Sequence, residues 1–300
     1  MAEAQSPEPS EEMKEMMEEL HIDETPVEQS PIPIGGILGP ESFDFEKYKT
    51  NMNVCYETDG DNCYCGIDGT QFKVRGQNYL KDKKKFVSKP NICTLRGCDM
   101  YRMDEKPLHF CSRPESLPAK VKAAGGKDFF FVYNIIVTYK KKYISLCQYH
   151  TIPDGLETSN PTARRMIDNM INDEKDAWKT KHIKLIPTVV VISLINILMF
   201  LYINSLLYKY ILKCVGSVPC IVGKKLKQVA FKGDNYIEID MDVSKDKMIS
   251  KMCEMCFKMA KSVVMDLGFV LEATNPEDLP EQMLSGIRLC RPDLTDVPLL

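Results

Sequence analysis

The residues best suited to metal binding or nucleophilic chemistry are twelve cysteines and four histidines. Cys63 and Cys65 form a CxC pair, and Cys253 and Cys256 form a CxxC pair. A structural zinc site usually needs four ligands at matched spacing, whereas the histidines are scattered along the chain. Cys253 and Cys256 also fall on a predicted apolar helical stripe. The pattern therefore favours buried, reduced thiols, and we predict neither a metal site nor a cofactor.

Catalytic groups are equally sparse. His109 and Cys111 would share one face of a strand as base and nucleophile, but no third group is placed to orient the base. Gly125-Gly126-Lys127 lacks the spacing of a phosphate-binding loop. Neither a Gly-x-Ser-x-Gly elbow nor a His-Glu-x-x-His motif occurs in the sequence. We therefore predict that the protein is not an enzyme.

Runs of lysine carry a clearer signal. They occur at 81–85, at 140–142 and at 224–227, each beside a predicted strand or turn. If these loops met at one end of a sheet, each lysine would contribute about 1 kcal/mol of attraction to an anionic membrane. Ordinary solvated turns are the alternative interpretation. We predict lipid or membrane contact for Arg75, Lys81, Lys83, Lys84, Lys85, Lys224, Lys225 and Lys227.

Charge is divided unevenly between the start of the chain and the rest. Residues 1–48 hold 13 acidic residues and 2 lysines, a net charge of −11, which leaves +8 on residues 49–300. A basic body favours an anionic partner, either a membrane or a nucleic acid. The run Phe129–Phe131 indicates a strand buried on both faces rather than a base-stacking surface, and no predicted helix has an arginine-rich face. We therefore predict a lipid or membrane partner and no nucleic acid.

The acidic segment also differs in composition. Residues 1–48 are rich in Pro, Glu and Ser and poor in aromatic residues, which predicts a mostly disordered tail. The start of the chain lacks the basic and apolar stretches of a secretory leader. We expect a cytoplasmic protein with reduced cysteines, either free or peripherally attached to membranes.

The order of strand and helix patterns predicts the fold class. Alternating or β-rich stretches recur at Gln71–Arg75, Asn91–Arg96, Phe129–Tyr139, Lys142–Tyr149 and Val263–Glu272. Apolar stripes with helical spacing occur at Thr162–Trp178 and in the Met-rich stretch 245–262. Asn275-Pro276-Glu277 is typical of a helix start and predicts a final helix through about Arg288. The combination predicts an α+β domain, in which a long Met-rich helix and a C-terminal helix pack on an antiparallel β-sheet.

An uncharged run, Leu185–Tyr208, is 24 residues long and apolar enough to be a transmembrane candidate. Pro187, Asn196 and Asn204 weaken this signal without removing it. A span at this place would put the two halves of the chain on opposite sides of a bilayer, so its interpretation depends on whether those halves form one domain.

Several blocks of sequence, taken together, resemble the Enhanced Disease Resistance-type C-terminal domain family. They follow the family's order over about residues 53–294, and an ordered series is more specific than any single block. The blocks are Arg75–Lys85, Lys184–Pro187, Val215-Gly216, Gly223–Leu226, the distinctive run Gly233–Asp242, Val264–Glu272 and Glu277–Glu281.

The resemblance implies one domain at 49–300. It also exposes an apolar insert at about 191–204, which is either a membrane-dipping hairpin or an artefact of the gene model. The motif residues with an implied structural role are Gly76, Asn78, Tyr79, Asp82, Gly233, Asn235, Tyr236 and Asp240.

Plant members of the family often carry pleckstrin-homology and START-type lipid-transfer domains before this one, and that company implies an association with lipid. The expected function is therefore non-catalytic lipid binding or association with a membrane surface. A protein-interaction or scaffolding domain without a lipid ligand is the alternative.

Overall fold

Strands outnumber helices in the computed structural model, which describes residues 47–55, 60–173, 177–192, 220–221, 227–245 and 260–300. All of these residues belong to one compact unit, Gly35–Leu300. The strands are β1 (Asn53–Val54), β2 (Cys63–Gly66), β3 (Lys73–Arg75), β4 (Lys85–Val87), β5 (Thr94–Met103), β6 (Phe130–Tyr139), β7 (Lys142–Thr151), β8 (Ile183–Ile192), β9 (Cys220–Ile221), β10 (Lys227–Lys232), β11 (Tyr236–Asp242), β12 (Val263–Leu271) and β13 (Met283–Cys290).

The helices found among the described residues are short. They are α1 (Tyr79–Asp82), α2 (Leu117–Ala123), α3 (Leu156–Ser159), α4 (Pro161–Asn172) and α5 (Ala177–His182). Single 3₁₀ turns occur at Gly69–Gln71, Phe110–Ser112, Val243–Lys245, Ala260–Ser262 and Pro276–Asp278.

The strands form three sheets. A six-stranded sheet has the order β1-β2-β13-β12-β8-β9, a five-stranded sheet has the order β10-β11-β6-β7-β5, and β3 pairs with β4 alone. Most neighbours are antiparallel, but β1 and β2 run parallel, and so do β11 and β6. The expected sheet is therefore replaced by two larger mixed sheets and a separate two-stranded ribbon.

The lysine run at 140–142 lies at the turn of the β6–β7 hairpin. The two strands pair from Phe130 opposite Thr151 to Tyr139 opposite Lys142. Lys140 and Lys141 make the two-residue turn with φ values of 48° and 65°. Positive φ at both central residues gives a turn whose twist matches that of the flanking strands.

The two larger sheets share one hydrophobic core, and Phe269 of β12 packs across the interface between them. Its ring centroid lies 4.4 Å from that of Tyr133 and 6.4 Å from that of Phe131, both on β6. It also meets His150 of β7 edge-on at 6.2 Å. All four side chains are buried. The helix α4 adds Ala163, Met166, Ile167 and Met170 to the same core, as expected from its apolar stripe.

The predicted C-terminal helix from Asn275 to Arg288 is wrong. Its first residues form only the 3₁₀ turn Pro276–Asp278, and the chain then enters β13. β13 pairs with β12 on one side and with β2 on the other, and all eight of its residues are buried. A strand that is buried on both faces has no polar alternation, so a short apolar run of this kind does not distinguish a strand from a helix.

The predicted long Met-rich helix at 245–262 is not found in the part of the chain that the structure describes. Residues 246–259 lie outside that part, and the flanks Val243–Lys245 and Ala260–Ser262 are 3₁₀ turns. Among the described residues, α2 and α4 are the two helices that reach seven residues. The expected α+β arrangement of long helices on one antiparallel sheet is therefore wrong, and the fold is strand-rich.

The apolar run Leu185–Tyr208 begins as a strand. Its residues up to Ile192 belong to β8, which pairs antiparallel with β12, and the remainder, with the insert at about 191–204, falls largely outside the described residues. Within the described ranges, the search for an apolar helix of bilayer-spanning length found none.

Replacing Phe269 by Ala should destabilise the protein by about 3–5 kcal/mol, because it leaves a cavity between two sheets that pack on the same ring. Chemical denaturation followed by circular dichroism measures the loss. The matched control is Phe86→Ala, since Phe86 is 58% exposed and its removal should cost less than about 1 kcal/mol. Equal costs for the two changes would contradict the assignment of the inter-sheet core.

Candidate functional site

The segment Lys73–Val87 forms a hairpin that presents basic and apolar side chains together. β3 and β4 pair antiparallel, with Lys73 opposite Val87 and Arg75 opposite Lys85, and α1 lies between the strands. We call this segment the basic hairpin. Its exposed side chains include Lys73, Leu80, Lys81, Lys83, Lys84, Lys85, Phe86 and Val87.

The tip of the basic hairpin is shaped by local backbone chemistry. A Cβ atom at Gly76 would lie 2.4 Å from the Phe86 ring, so only glycine allows that ring to lie against the backbone. Lys83 ends α1 in the left-handed region with φ of 58°. The Asp82 carboxylate then accepts a hydrogen bond from the Lys84 backbone N–H at 2.9 Å. Asn78 is the residue that precedes the first turn of α1.

Arg75 holds the root of the basic hairpin to the six-stranded sheet. Its guanidinium is 2.6 Å from a carboxylate oxygen of Glu272 and donates to the Ala273 carbonyl at 2.8 Å. The guanidinium also lies 4.7 Å from the centre of the Tyr79 ring. The Arg75 side chain is 19% exposed, so the structure places it within the protein's own contacts rather than on an open surface.

Two further charged residues complete this anchor. Glu281 accepts the Arg75 backbone N–H at 3.0 Å and the Ala273 backbone N–H at 2.9 Å. Lys184 of β8 lies 3.4 Å from both Glu272 and Glu281, with its side chain 7% exposed. Two cations therefore face two carboxylates. This pairing offsets the loss of hydration that buried charges suffer.

The structure brings together only part of the predicted contact set. Lys81, Lys83, Lys84 and Lys85 share the basic hairpin. Lys224 and Lys225 lie outside the described residues, and Lys227 begins β10, with its side chain also outside them. The reasoning from sequence missed the exposed Leu80, Phe86 and Val87, because apolar residues in a strand pattern are normally expected to be buried.

The distinctive run Gly233–Asp242 builds a different part of the molecule. A Cβ atom at Gly233 would lie 2.3 Å from the Tyr236 ring, and Asn235 donates its side-chain amide to the Pro118 carbonyl at 3.0 Å. The Tyr236 hydroxyl is 2.8 Å from Nε2 of His109. These contacts tie β11 and the turn before it to α2 and to the segment that precedes α2.

Glu238 and Asp240 hold that segment through its backbone. Glu238 accepts the N–H groups of Phe110 at 2.7 Å and Cys111 at 2.8 Å. Asp240 accepts the N–H of His109 at 2.7 Å. Burial and the neighbouring Glu238 carboxylate raise the pKa of Asp240 to about 9. The two carboxyl groups therefore act as internal caps for a turn.

In this arrangement, His109 and Cys111 make contacts that stabilise the fold. The His109 ring stacks on Phe231 with centroids 4.4 Å apart. Cys111 is buried, and burial raises the pKa of its thiol well above the usual value. A buried thiol held in its protonated form is a poor nucleophile, which matches the preference for a structural cysteine at this position.

A cluster of cysteines lies at the edge of the six-stranded sheet. The Sγ atoms of Cys55, Cys63 and Cys290 are all within 4.8 Å of one another, and those of Cys55 and Cys290 are 3.6 Å apart. Cys65, two residues beyond Cys63 on β2, packs against the same cluster. Its thiol interacts with those of Cys290 and Cys55, and these contacts raise its pKa. The sequence suggested the Cys63–Cys65 pair but gave no indication of the other two partners.

Fold and site together define a strand-rich domain with two large sheets and a two-stranded basic hairpin. Residues 64–293 match the family described as Protein ENHANCED DISEASE RESISTANCE 2, C-terminal, and the chain belongs to that family. The resemblance seen in the ordered sequence blocks is thus confirmed.

A relative from Arabidopsis thaliana, described as Protein ENHANCED DISEASE RESISTANCE 2-like, is 25% identical over 257 residues. The match covers 85% of this chain and 32% of the relative, so the chain spans about a third of the relative's length. No solved structure matches the chain.

The raised pKa of Asp240 makes stability depend on pH. The folded protein keeps this carboxyl protonated up to about pH 9, whereas the unfolded chain releases the proton near its usual pKa of about 4. The contribution of the protonated Asp240 carboxyl to the stability of the fold is therefore full below about pH 4. It is lost as pH rises toward about 9. We expect Asp240→Asn to make the fall in melting temperature between about pH 5 and about pH 9 shallower.

Thermal unfolding followed by circular dichroism across this pH range measures the effect. Asp168→Asn is the control, because Asp168 forms an exposed pair with Arg164 on α4, and it should keep the wild-type slope. If Asp240→Asn left this slope unchanged, the protonated state of the Asp240 carboxyl in the folded protein would be contradicted.

Proposed function

We propose that the protein is a non-catalytic domain that attaches to anionic membrane surfaces through the basic hairpin. The observation that carries this proposal is the exposure of Phe86 and Val87, at 58% and 60%, beside the lysines of the same hairpin. Membership of the Enhanced Disease Resistance 2 C-terminal family supports a related role for the domain without specifying a ligand.

The lysines provide the long-range part of the attraction. Lys81, Lys83, Lys84 and Lys85 are all exposed on a segment of five residues. Each cation near an anionic leaflet is worth about 1 kcal/mol, so four of them supply about 4 kcal/mol before losses from screening. The attraction acts over about one Debye length and weakens with salt.

The apolar side chains provide the short-range part. Leu80 is 36% exposed, and with Phe86 and Val87 it gives the hairpin three large apolar groups that water contacts in the free protein. Transfer of such groups into the acyl boundary of a bilayer is favourable by roughly 25 cal/mol for each Å² removed from water. Lysines at the rim can extend their amines to the headgroups while their stems follow the apolar surface.

The anchor at the root makes this presentation rigid. Arg75 is fixed by Glu272 and Glu281, so the hairpin does not have to be ordered on binding. A preordered element avoids the entropy cost that a flexible loop would pay at the membrane.

One pocket among the described residues does not fit a lipid. It is lined by Ile92, Ala163, Met166, Leu271 and neighbouring residues, and its volume of about 30 Å³ leaves room for small, water-sized molecules only. This pocket is too small for an acyl chain.

Sedimentation with phosphatidylcholine vesicles, with and without phosphatidylserine, tests the proposal. Lys83→Glu with Lys84→Glu should weaken binding to the anionic vesicles by at least about tenfold, since two attractive charges become repulsive. Phe86→Ser should weaken the same binding without altering its salt dependence, because it removes only the apolar contact.

The matched control is Lys140→Glu with Lys141→Glu, which makes the same change in net charge at the β6–β7 turn. It should alter binding by less than about twofold. If both double variants lost binding equally, general charge rather than the basic hairpin would be responsible. If the wild type did not sediment with anionic vesicles, membrane attachment would be refuted and the protein-interaction alternative favoured.

A further inference from the structure

We propose that Cys55, Cys63, Cys65 and Cys290 form a mononuclear zinc site that ties the first two strands of the domain to the last one. The four residues come from three places that are distant in sequence. Cys55 follows β1, Cys63 and Cys65 lie on β2, and Cys290 ends β13. Four cysteine thiolates are a common ligand set for structural Zn²⁺.

Three of the four sulfur positions are close to those around a single tetrahedral metal. Zn–S bonds are about 2.3 Å long, so two sulfurs of a tetrahedral centre lie about 3.8 Å apart. The Cys55 and Cys290 sulfurs are 3.6 Å apart, and the three sulfurs of Cys55, Cys63 and Cys290 all fall within 4.8 Å. Cys65 is not one of these three mutually close sulfurs, but it packs against them from β2, and it is the residue that would complete the ligand set.

Strand geometry explains why the thiols converge. Cys63 is directly opposite Cys290 in the antiparallel β2–β13 pair, and Cys65 lies on the same face of β2 because side chains alternate along a strand. The Cys55 backbone N–H donates to the Tyr64 carbonyl at 2.8 Å, which brings Cys55 alongside β2. The ligands are therefore placed by backbone pairing, before any metal binds.

The backbone at Gly60 lies close to two of the cysteines. A Cβ atom at Gly60 would lie 2.5 Å from the Cys63 sulfur and 2.9 Å from the Cys55 Cβ. Close approach of the backbone to the thiols thus depends on glycine. Val264 and Val190 pack against the cluster, and Arg288, which pairs with Asp266, is the partner of Cys65 in the β2–β13 pair. The sulfur donors therefore have both apolar and charged neighbours.

Ordinary core packing explains the burial of each cysteine but not their convergence. Cys93 illustrates the ordinary case, since it is buried and burial alone raises the pKa of its thiol. A disulfide between two of the clustered residues is the other alternative. It would join sulfurs at about 2 Å and leave two thiols without a bonded partner.

The test measures zinc in the full-length chain by mass spectrometry after purification under reducing conditions with zinc in the medium. We expect about one zinc per chain, falling to less than about a fifth in Cys55→Ser and in Cys290→Ser. Cys93→Ala and the double variant Cys253→Ser with Cys256→Ser should keep the wild-type content. Their retention separates this cluster from other cysteines of the chain.

A second measurement does not require a variant to fold. Replacing zinc by Co²⁺ in the wild type should give the visible absorption of a tetrahedral cobalt thiolate, and added Zn²⁺ should remove it.

Gly60→Ala, which keeps every thiol, should weaken zinc retention against a chelator by at least about tenfold.

Three results would overturn the site. One is a wild-type chain that takes up no zinc or cobalt. Another is zinc content that persists in both Cys55→Ser and Cys290→Ser. The last is a disulfide within the cluster, found by mass mapping of the protein after alkylation without reduction.

Discussion

The structure depends on the burial of one strand, β12, inside the six-stranded sheet and against the other large sheet. β12 pairs with β13 and β8, and Phe269 fills the space between the sheets. Val264 at its start touches the cysteine cluster, and Glu272 just after its end anchors the basic hairpin. Because a strand rises about 3.3 Å per residue, these two sites lie at opposite ends of one rigid element, and changes at one need not disturb the other.

Buried charge has a positioning role at both ends of this sheet. Arg288 pairs with Asp266 through two hydrogen bonds of 2.7 and 2.9 Å, and Arg75 is held by Glu272 and Glu281. Such pairs pay a desolvation cost that often offsets their attraction, so they are weak evidence for stability. Their value here is geometric, because each fixed partner limits where the chain can go. The root of the basic hairpin is held in place, and its tip is free to meet a second surface.

Sequence patterns were sufficient to identify the family and several local elements. The ordered blocks around Arg75–Lys85 and Gly233–Asp242 were specific enough to give the family. The β6–β7 hairpin, the stripe of α4 and the lysines of the basic hairpin could all be read locally, because turn chemistry and helical periodicity depend on residues close together in the chain. The same local reasoning failed at Asn275–Arg288, where burial on both faces removed the alternation that marks a strand.

Tertiary structure alone decided which residues meet. Arg75 looked like a surface cation, but two carboxylates from later in the chain enclose it. Phe86 is a large apolar residue, but among the described strands β4 pairs with β3 alone, and the ring stays exposed. Cys290 is 225 residues beyond Cys65 in the sequence, and no spacing rule links them. The physical reason is common to all three cases: strand pairing and sheet packing join segments that are remote in the chain, and the environment of a side chain is set by those partners.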